Sequence, residues 1–135
     1  MSNWTHVAGV IRVDSIRAFD GEIDFDKKIG KECLWTSDYD VWNEASEHPE
    51  RFMPMGSGGS LRKTVWENPD RSHMAAYTIT IFGDLRDHDD PDAIIEWFKS
   101  ICSNFLVRNA VIVVENECNG KRTWNYCFDE DEEFI

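Results

Sequence analysis

Alternation of large and small side chains is clearest in Ala76-Tyr77-Thr78-Ile79-Thr80-Ile81-Phe82. It predicts a strand with Tyr77, Ile79 and Ile81 on one face and Thr78, Thr80 and Phe82 on the other. Gly83 is expected to end it. After an acidic loop, Asp90 is placed to cap a helix, Pro91 suits its first position, and Asp92 lies where the helix dipole favours negative charge. Ile94, Phe98, Ile101, Cys102 and Phe105 then form one apolar helical stripe, bordered by Trp97. Arg108-Asn109 precede the next apolar run, so the helix is expected to stop near Asn104.

The same patterning divides the rest of the chain. Trp4 to Val13 reads as a strand with Thr5, Val7, Gly9, Ile11 and Val13 on one face and Trp4, His6, Ala8, Val10 and Arg12 on the other. Both faces are partly apolar, which suits a central strand. Gly9 marks either a bulge or a close helix contact. From Asp14 to Arg51 no period holds for long. A short helix over Phe25–Cys33, weakened by Gly30, and a better one over Asp40–Glu47, capped by Asp40 and followed by Pro49, are expected there. Met53 to Ser60 is a glycine-rich loop by composition. Leu61 to Glu67 is a strand with Leu61 and Val65 opposite Trp66, and Asn68-Pro69-Asp70 turns the chain.

Ala110 to Val114, nearly all β-branched, reads as a buried strand. Asn119-Gly120 is a strong signal for a two-residue hairpin turn. That turn would set Val113 against Tyr126, Val111 against Phe128, Ile112 against Cys127, Glu117 against Arg122 and Trp124 against Glu115.

The order strand, helical region, strand, strand, helix, strand, strand gives an α+β class. Without its last strand it is the βαββαβ order of the ferredoxin-like fold. The expected sheet is mostly antiparallel with helices on one face and an extra C-terminal edge strand. Residues 1–128 are expected to form a single domain, and the acidic run from Asp129 to 135 a solvated tail. No internal repeat is visible.

Composition narrows the function classes. The 135 residues carry a formal charge of −12, which repels nucleic acid and anionic membrane and permits a basic protein partner or a metal ion. No apolar run reaches the roughly 20 residues of a membrane span, and the N-terminus lacks the pattern of a signal peptide. Cys33, Cys102, Cys118 and Cys127 show no Cys-x-x-Cys pair, so reduced thiols in a cytoplasm are expected.

Candidate chemistry is sparse. Asp84, Asp87, His88 and Asp89 offer oxygen ligands and an imidazole for a divalent ion, with a solvated turn and helix cap as the bland alternative. Gly58, Gly59, Lys63 and Trp66 could present backbone N–H groups, a cation and a stacking surface to a nucleotide. A P-loop reading fails there, because the segment enters a strand. Six tryptophans are more than a core of this size needs. Trp124 near the hairpin, together with His6, Val10 and Phe82, is expected to line an interface. The face carrying His6, Ala8, Val10, Thr78, Thr80 and Phe82 is too apolar for plain exposure. A second subunit, a partner or the Asp14–Arg51 segment is expected to cover it.

Trp4-Thr5-His6-Val7-Ala8-Gly9 and Phe82-Gly83-Asp84-Leu85-Arg86-Asp87 together resemble segments of small proteins carried by phages and prophages of Gram-positive bacteria, which belong to no named functional family. The resemblance covers no catalytic motif and carries over no functional residue. It implies a non-enzymatic accessory role.

Three readings follow. The first is a cytoplasmic, non-enzymatic acidic interaction protein without cofactor, binding a protein partner or itself. An inhibitor of a host defence protein, or a nucleic-acid mimic toward a basic partner, would fit it. The second is a nucleotide-like small-molecule module built on tryptophan stacking. The third is a metal-dependent hydrolase using the Asp84–Asp92 loop.

Overall fold

The computed structural model describes residues 2–16, 22–33, 39–68 and 74–128. The expected tail 129–135 and the turn beyond Asn68 lie outside them. Five strands, β1 (Trp4–Ile16), β2 (Leu61–Glu67), β3 (Met74–Arg86), β4 (Leu106–Asn116) and β5 (Gly120–Cys127), form one sheet in the order β2-β3-β1-β4-β5. Every neighbouring pair is antiparallel. Three helices accompany it: α1 (Phe25–Ile29), α2 (Tyr39–Glu47) and α3 (Pro91–Cys102), with a 3-10 turn over Pro49–Arg51.

β1 is central, as its two partly apolar faces require. Its odd residues Val7, Ile11 and Val13 are buried together with Ile79, Ile81 and Leu85 of β3 and Ala110, Ile112 and Val114 of β4. α3 closes this face. Asp90 caps it by accepting from the Ala93 N–H at 3.1 Å, Pro91 opens it, and Ile94, Ile95, Phe98, Ile101 and Cys102 are buried beneath it. The helix stops at Cys102, slightly earlier than expected. Gly9 is a contact glycine: an added Cβ would stand 3.0 Å from the Phe98 ring. α1 lies on the same side. Its Phe25 meets the Tyr77 ring edge-on at 5.5 Å and the Phe105 ring at 6.2 Å. A satellite cluster of Cys33, Ala45 and Phe52 forms beside it.

Two expectations are corrected. Gly83 does not end β3, which continues to Arg86 with Leu85 buried. The glycine serves close approach instead: its φ is +152° and a Cβ would stand 2.6 Å from the Ser60 carbonyl, where β2 begins.

The second correction is the hairpin. Asn116 pairs with Gly120, leaving a three-residue loop, and Ile112 faces Trp124 while Ala110 faces Tyr126. Asn116 explains the change. Its side-chain Oδ1 accepts from the backbone N–H groups of Cys118 at 2.9 Å and Asn119 at 2.8 Å. The turn is thereby closed at Asn116 and Gly120 instead of Cys118 and Lys121, with Gly120 at φ +84°. The register differs from expectation by an odd number of residues, so every β5 side chain changes face.

One donor on the free edge of β2 is taken. Glu32 accepts from the Lys63 backbone N–H at 3.3 Å and from Arg62 Nη1 at 3.3 Å, so an edge donor otherwise open to another strand is taken.

Candidate functional site

The feature that stands out is the sheet face opposite α1 and α3. Strand alternation sends the even residues of β1 and β3 to it, and the registers align them into rows. Thr80, Val10 and Val111 form one row; Phe82, Ala8 and Val113 form the next. Arg62 and Thr64 of β2 extend these rows at one edge, and Thr123 and Asn125 of β5 at the other. Phe82 is 41 % exposed, Val111 46 % and Trp66 57 %. α1 packs on the other face.

Charge is graded along the face. At one end of β1 stands Arg12. It has no ion-pair partner among the described residues, and the adjacent Asp14 is taken by Arg108 at 3.4 Å. At the other end His6 faces Asp84 of β3 and Glu115 of β4. His6 Nδ1 lies 2.6 Å from Asp84 Oδ1 and Nε2 lies 3.5 Å from Glu117 Oε2.

The hydrogen bond to Asp84 raises the His6 imidazole above its usual range. Slight burial opposes this, and the charges of Asp84 and Glu117 add to it. A raised folded-state pKa stabilises the fold fully below the unfolded value near 6.5, and that contribution is lost as pH rises through the folded value. The expected result is a melting temperature that declines slightly from pH 6 to pH 8. The slope should be flatter in a His6→Gln variant, and the effect small because the pair is exposed. An NMR titration placing His6 at or below the free value would refute it.

The structure disperses the other candidates. Trp124 lies on the α3 side, its ring edge-on to Phe98 at 5.9 Å with the Lys99 ammonium 5.8 Å from its centre, and so does not join His6, Val10 and Phe82. Lys63 and Trp66 leave opposite faces of β2. The Lys63 ammonium is fixed by Asp26 Oδ1 and the Gly30 carbonyl, both at 2.6 Å. Gly58 and Gly59 belong to a segment stitched to the end of β3: Ser57 N–H donates to the Arg86 carbonyl and Arg86 N–H to the Gly58 carbonyl, each at 2.8 Å. At Gly59 a Cβ would run into the Asp84 carbonyl, so backbone crowding explains that glycine without a phosphate.

The carboxylates of the Asp84–Asp92 loop face separate tasks. Asp84 holds His6, and Asp87 accepts from the Asn3 N–H at 3.2 Å and from Ser57 at 2.9 Å, which depresses its pKa. Asp90 caps α3, and Asp92 meets Arg122 at 3.2 Å. His88 presents its backbone: its carbonyl accepts from Thr5 Oγ1 and, at 3.3 Å, from Asn116 Nδ2. The Asp89 carbonyl accepts from Asn119 at 2.9 Å. Among the described residues no group of three His, Cys, Asp or Glu side chains is placed to hold a metal ion. Burial pushes the Cys102 thiol up to about 12, so it stays protonated and unreactive.

Sequence reasoning missed Val111 and Val113 as members of the open face, because a run of β-branched residues reads as buried on both sides. Sequence alternation from the neighbouring strands would have placed them. Neither a family model, nor a curated protein, nor a solved structure matches the chain, and what it does must be inferred from this surface.

Proposed function

We propose that the chain is a non-enzymatic interaction protein whose open sheet face docks another protein chain, with a second copy of itself as the occupant. The observation that carries this reading is a partly exposed apolar centre, formed by Phe82, Val10, Ala8, Val111 and Val113, between a cationic and an anionic end. Such a patch is self-complementary about a two-fold axis lying across the strands. That rotation sets the Arg12 end of one copy over the Asp84/Glu115 end of the other and packs the apolar rows between them. In a chain of charge −12, a patch of mixed sign is where two copies repel least.

Light scattering at rising concentration tests the reading. Val10→Glu and Phe82→Glu should each weaken the dimer at least about tenfold, consistent with losing roughly 1.5–3 kcal/mol of apolar burial, while each monomer keeps its melting temperature. Arg12→Glu should also dissociate it, and adding Glu115→Arg should restore association. A chain still monomeric at about 1 mM would overturn the self-docking reading.

The surplus of acid supports a second reading, an acidic surface that imitates a phosphate array toward a basic protein. Its support is the loop end of the sheet, where Asp84, Asp87, Asp89, Asp90, Asp92, Glu115 and Glu117 are all exposed. Capture of a basic protein by the Val10→Glu monomer would favour it. We further read the first four strands as a ferredoxin-like frame extended by β5. The support is the β2-β3-β1-β4 order with helical crossovers before β2 and β4.

A further inference from the structure

We propose that the cleft between α1, the Pro49–Met55 segment and α3 binds a small anionic molecule with a flat apolar body. This goes beyond the docking of the sheet face, since the cleft lies on the opposite side of the sheet. Its volume is about 810 Å³, within the range of roughly 300–1,000 Å³ typical of small-ligand sites. The floor and walls are apolar: Ile29, Met53 and Ile101 are buried in the core, and Trp97 and Met55 are half-buried beside them. Methionine adapts to irregular ligands and the indole offers a stacking face.

The rim is mixed in charge, with four cations against the carboxylates of Asp24, Asp26 and Glu50, in contrast to the molecule as a whole. Lys27, Lys28, Lys31 and Arg51 border the cleft. Of the carboxylates near them, Asp26 and Glu44 are paired with cations. Asp26 is held by Lys63 at 2.6 Å. Glu44 is shared by Lys31 at 3.1 Å and Arg51 at 3.9 Å. Asp24 caps α1, and Glu50 lies 3.3 Å from His48 Nδ1. Among the described residues Lys27 and Lys28 have no carboxylate partner, and the Lys28 ammonium instead donates to the Asn104 carbonyl at 3.0 Å. Distant acid does not cancel this rim for a bound ligand, because at physiological ionic strength charges beyond about 8 Å are largely screened. An anion at the rim with its aromatic part between Trp97 and the methionines therefore meets both chemistries of the cleft.

The probe is 8-anilinonaphthalene-1-sulfonate, and its control is the uncharged N-phenyl-1-naphthylamine, which has the same rings without the sulfonate. The sulfonate should bind with enhanced fluorescence, at least about tenfold more tightly than the neutral analogue. Lys27→Glu and Arg51→Glu, both at exposed positions, should each weaken it about threefold to tenfold, and the effect should shrink in high salt. Phe82→Glu should leave it unchanged, which separates this site from the sheet face. Equal binding of the two dyes, or binding insensitive to Lys27 and Arg51 but lost with Phe82→Glu, would overturn the proposal whether or not the sheet face dimerises.

Discussion

Truncating Phe98 to alanine is expected to cost about 3–5 kcal/mol, the usual range for a fully buried phenylalanine, and to lower the melting temperature by roughly 10–20 °C. The reason is position. Phe98 is 0 % exposed at the centre of α3, where its ring fills the space left by Gly9 on the central strand and braces Trp124 of β5. One side chain thus joins the helix to the middle and the edge of the sheet. Total stability of a domain this size is only about 5–15 kcal/mol, so the variant should be near unfolding at 37 °C. The Gly9 contact supplies a second measurement. Gly9→Ala, whose new methyl must share space with the ring and with the Val111 carbonyl 3.2 Å away, should cost less in a Phe98→Leu background than in the parent. Strict additivity, or a Phe98→Ala loss under 1 kcal/mol, would mean that the helix does not seat here.

Replacing Asn116 with leucine is expected to cost about 2–4 kcal/mol, because one buried amide serves several partners at once. The side chain is 1 % exposed. Besides the two turn N–H groups, it donates to Thr5 Oγ1 at 2.8 Å and to the His88 carbonyl, and accepts from Asn3 Nδ2 at 3.4 Å. The β4–β5 turn, the start of β1 and the loop before α3 are therefore tied at one point. Leucine keeps the number of side-chain heavy atoms and removes every side-chain bond, leaving the Thr5 hydroxyl, itself fully buried, with only the His88 carbonyl. Thr5→Val should cost less after Asn116→Leu than alone, because only the bond to the His88 carbonyl remains to be lost. Chemical denaturation of the two single variants and the double measures this directly. Independent effects would show that the network does not act as a unit.

The same asparagine explains where sequence reading succeeded and where it stopped. Strand alternation in Tyr77–Phe82 and the Asp90-Pro91 start of α3 are local signals, decided by side chains within a few residues, and both were legible. So was the outward-facing set His6, Ala8, Val10 and Phe82, because a period of two assigns a face once any member is buried. The hairpin was not, although its residues were in view. Asn119-Gly120 is the stronger turn pair by backbone preference, but Asn116 competes by offering a side-chain acceptor to two N–H groups. A shift of odd length then moved Trp124 from the open face to the helix side. The short helices of the Asp14–Arg51 region were faint because α1 is held by tertiary partners, Tyr77, Phe105 and Lys63, that lie far along the chain. The cleft was invisible for the same reason: its rim comes from α1 and Arg51, while Trp97 belongs to α3.

The Glu32 contact on β2 has a consequence for how large an assembly can grow. A sheet edge with free donors recruits strands without limit, and each recruit exposes the next edge. Here Glu32 occupies the Lys63 donor, and on the opposite border β5 carries Lys121 and Arg122, charges that discourage a strand from settling alongside. Lateral addition is disfavoured at both borders. Stacking by a two-fold through the open face uses that face up in a single step, so such pairing terminates at two copies, and concentrated protein should scatter light as a discrete species rather than as a fibre.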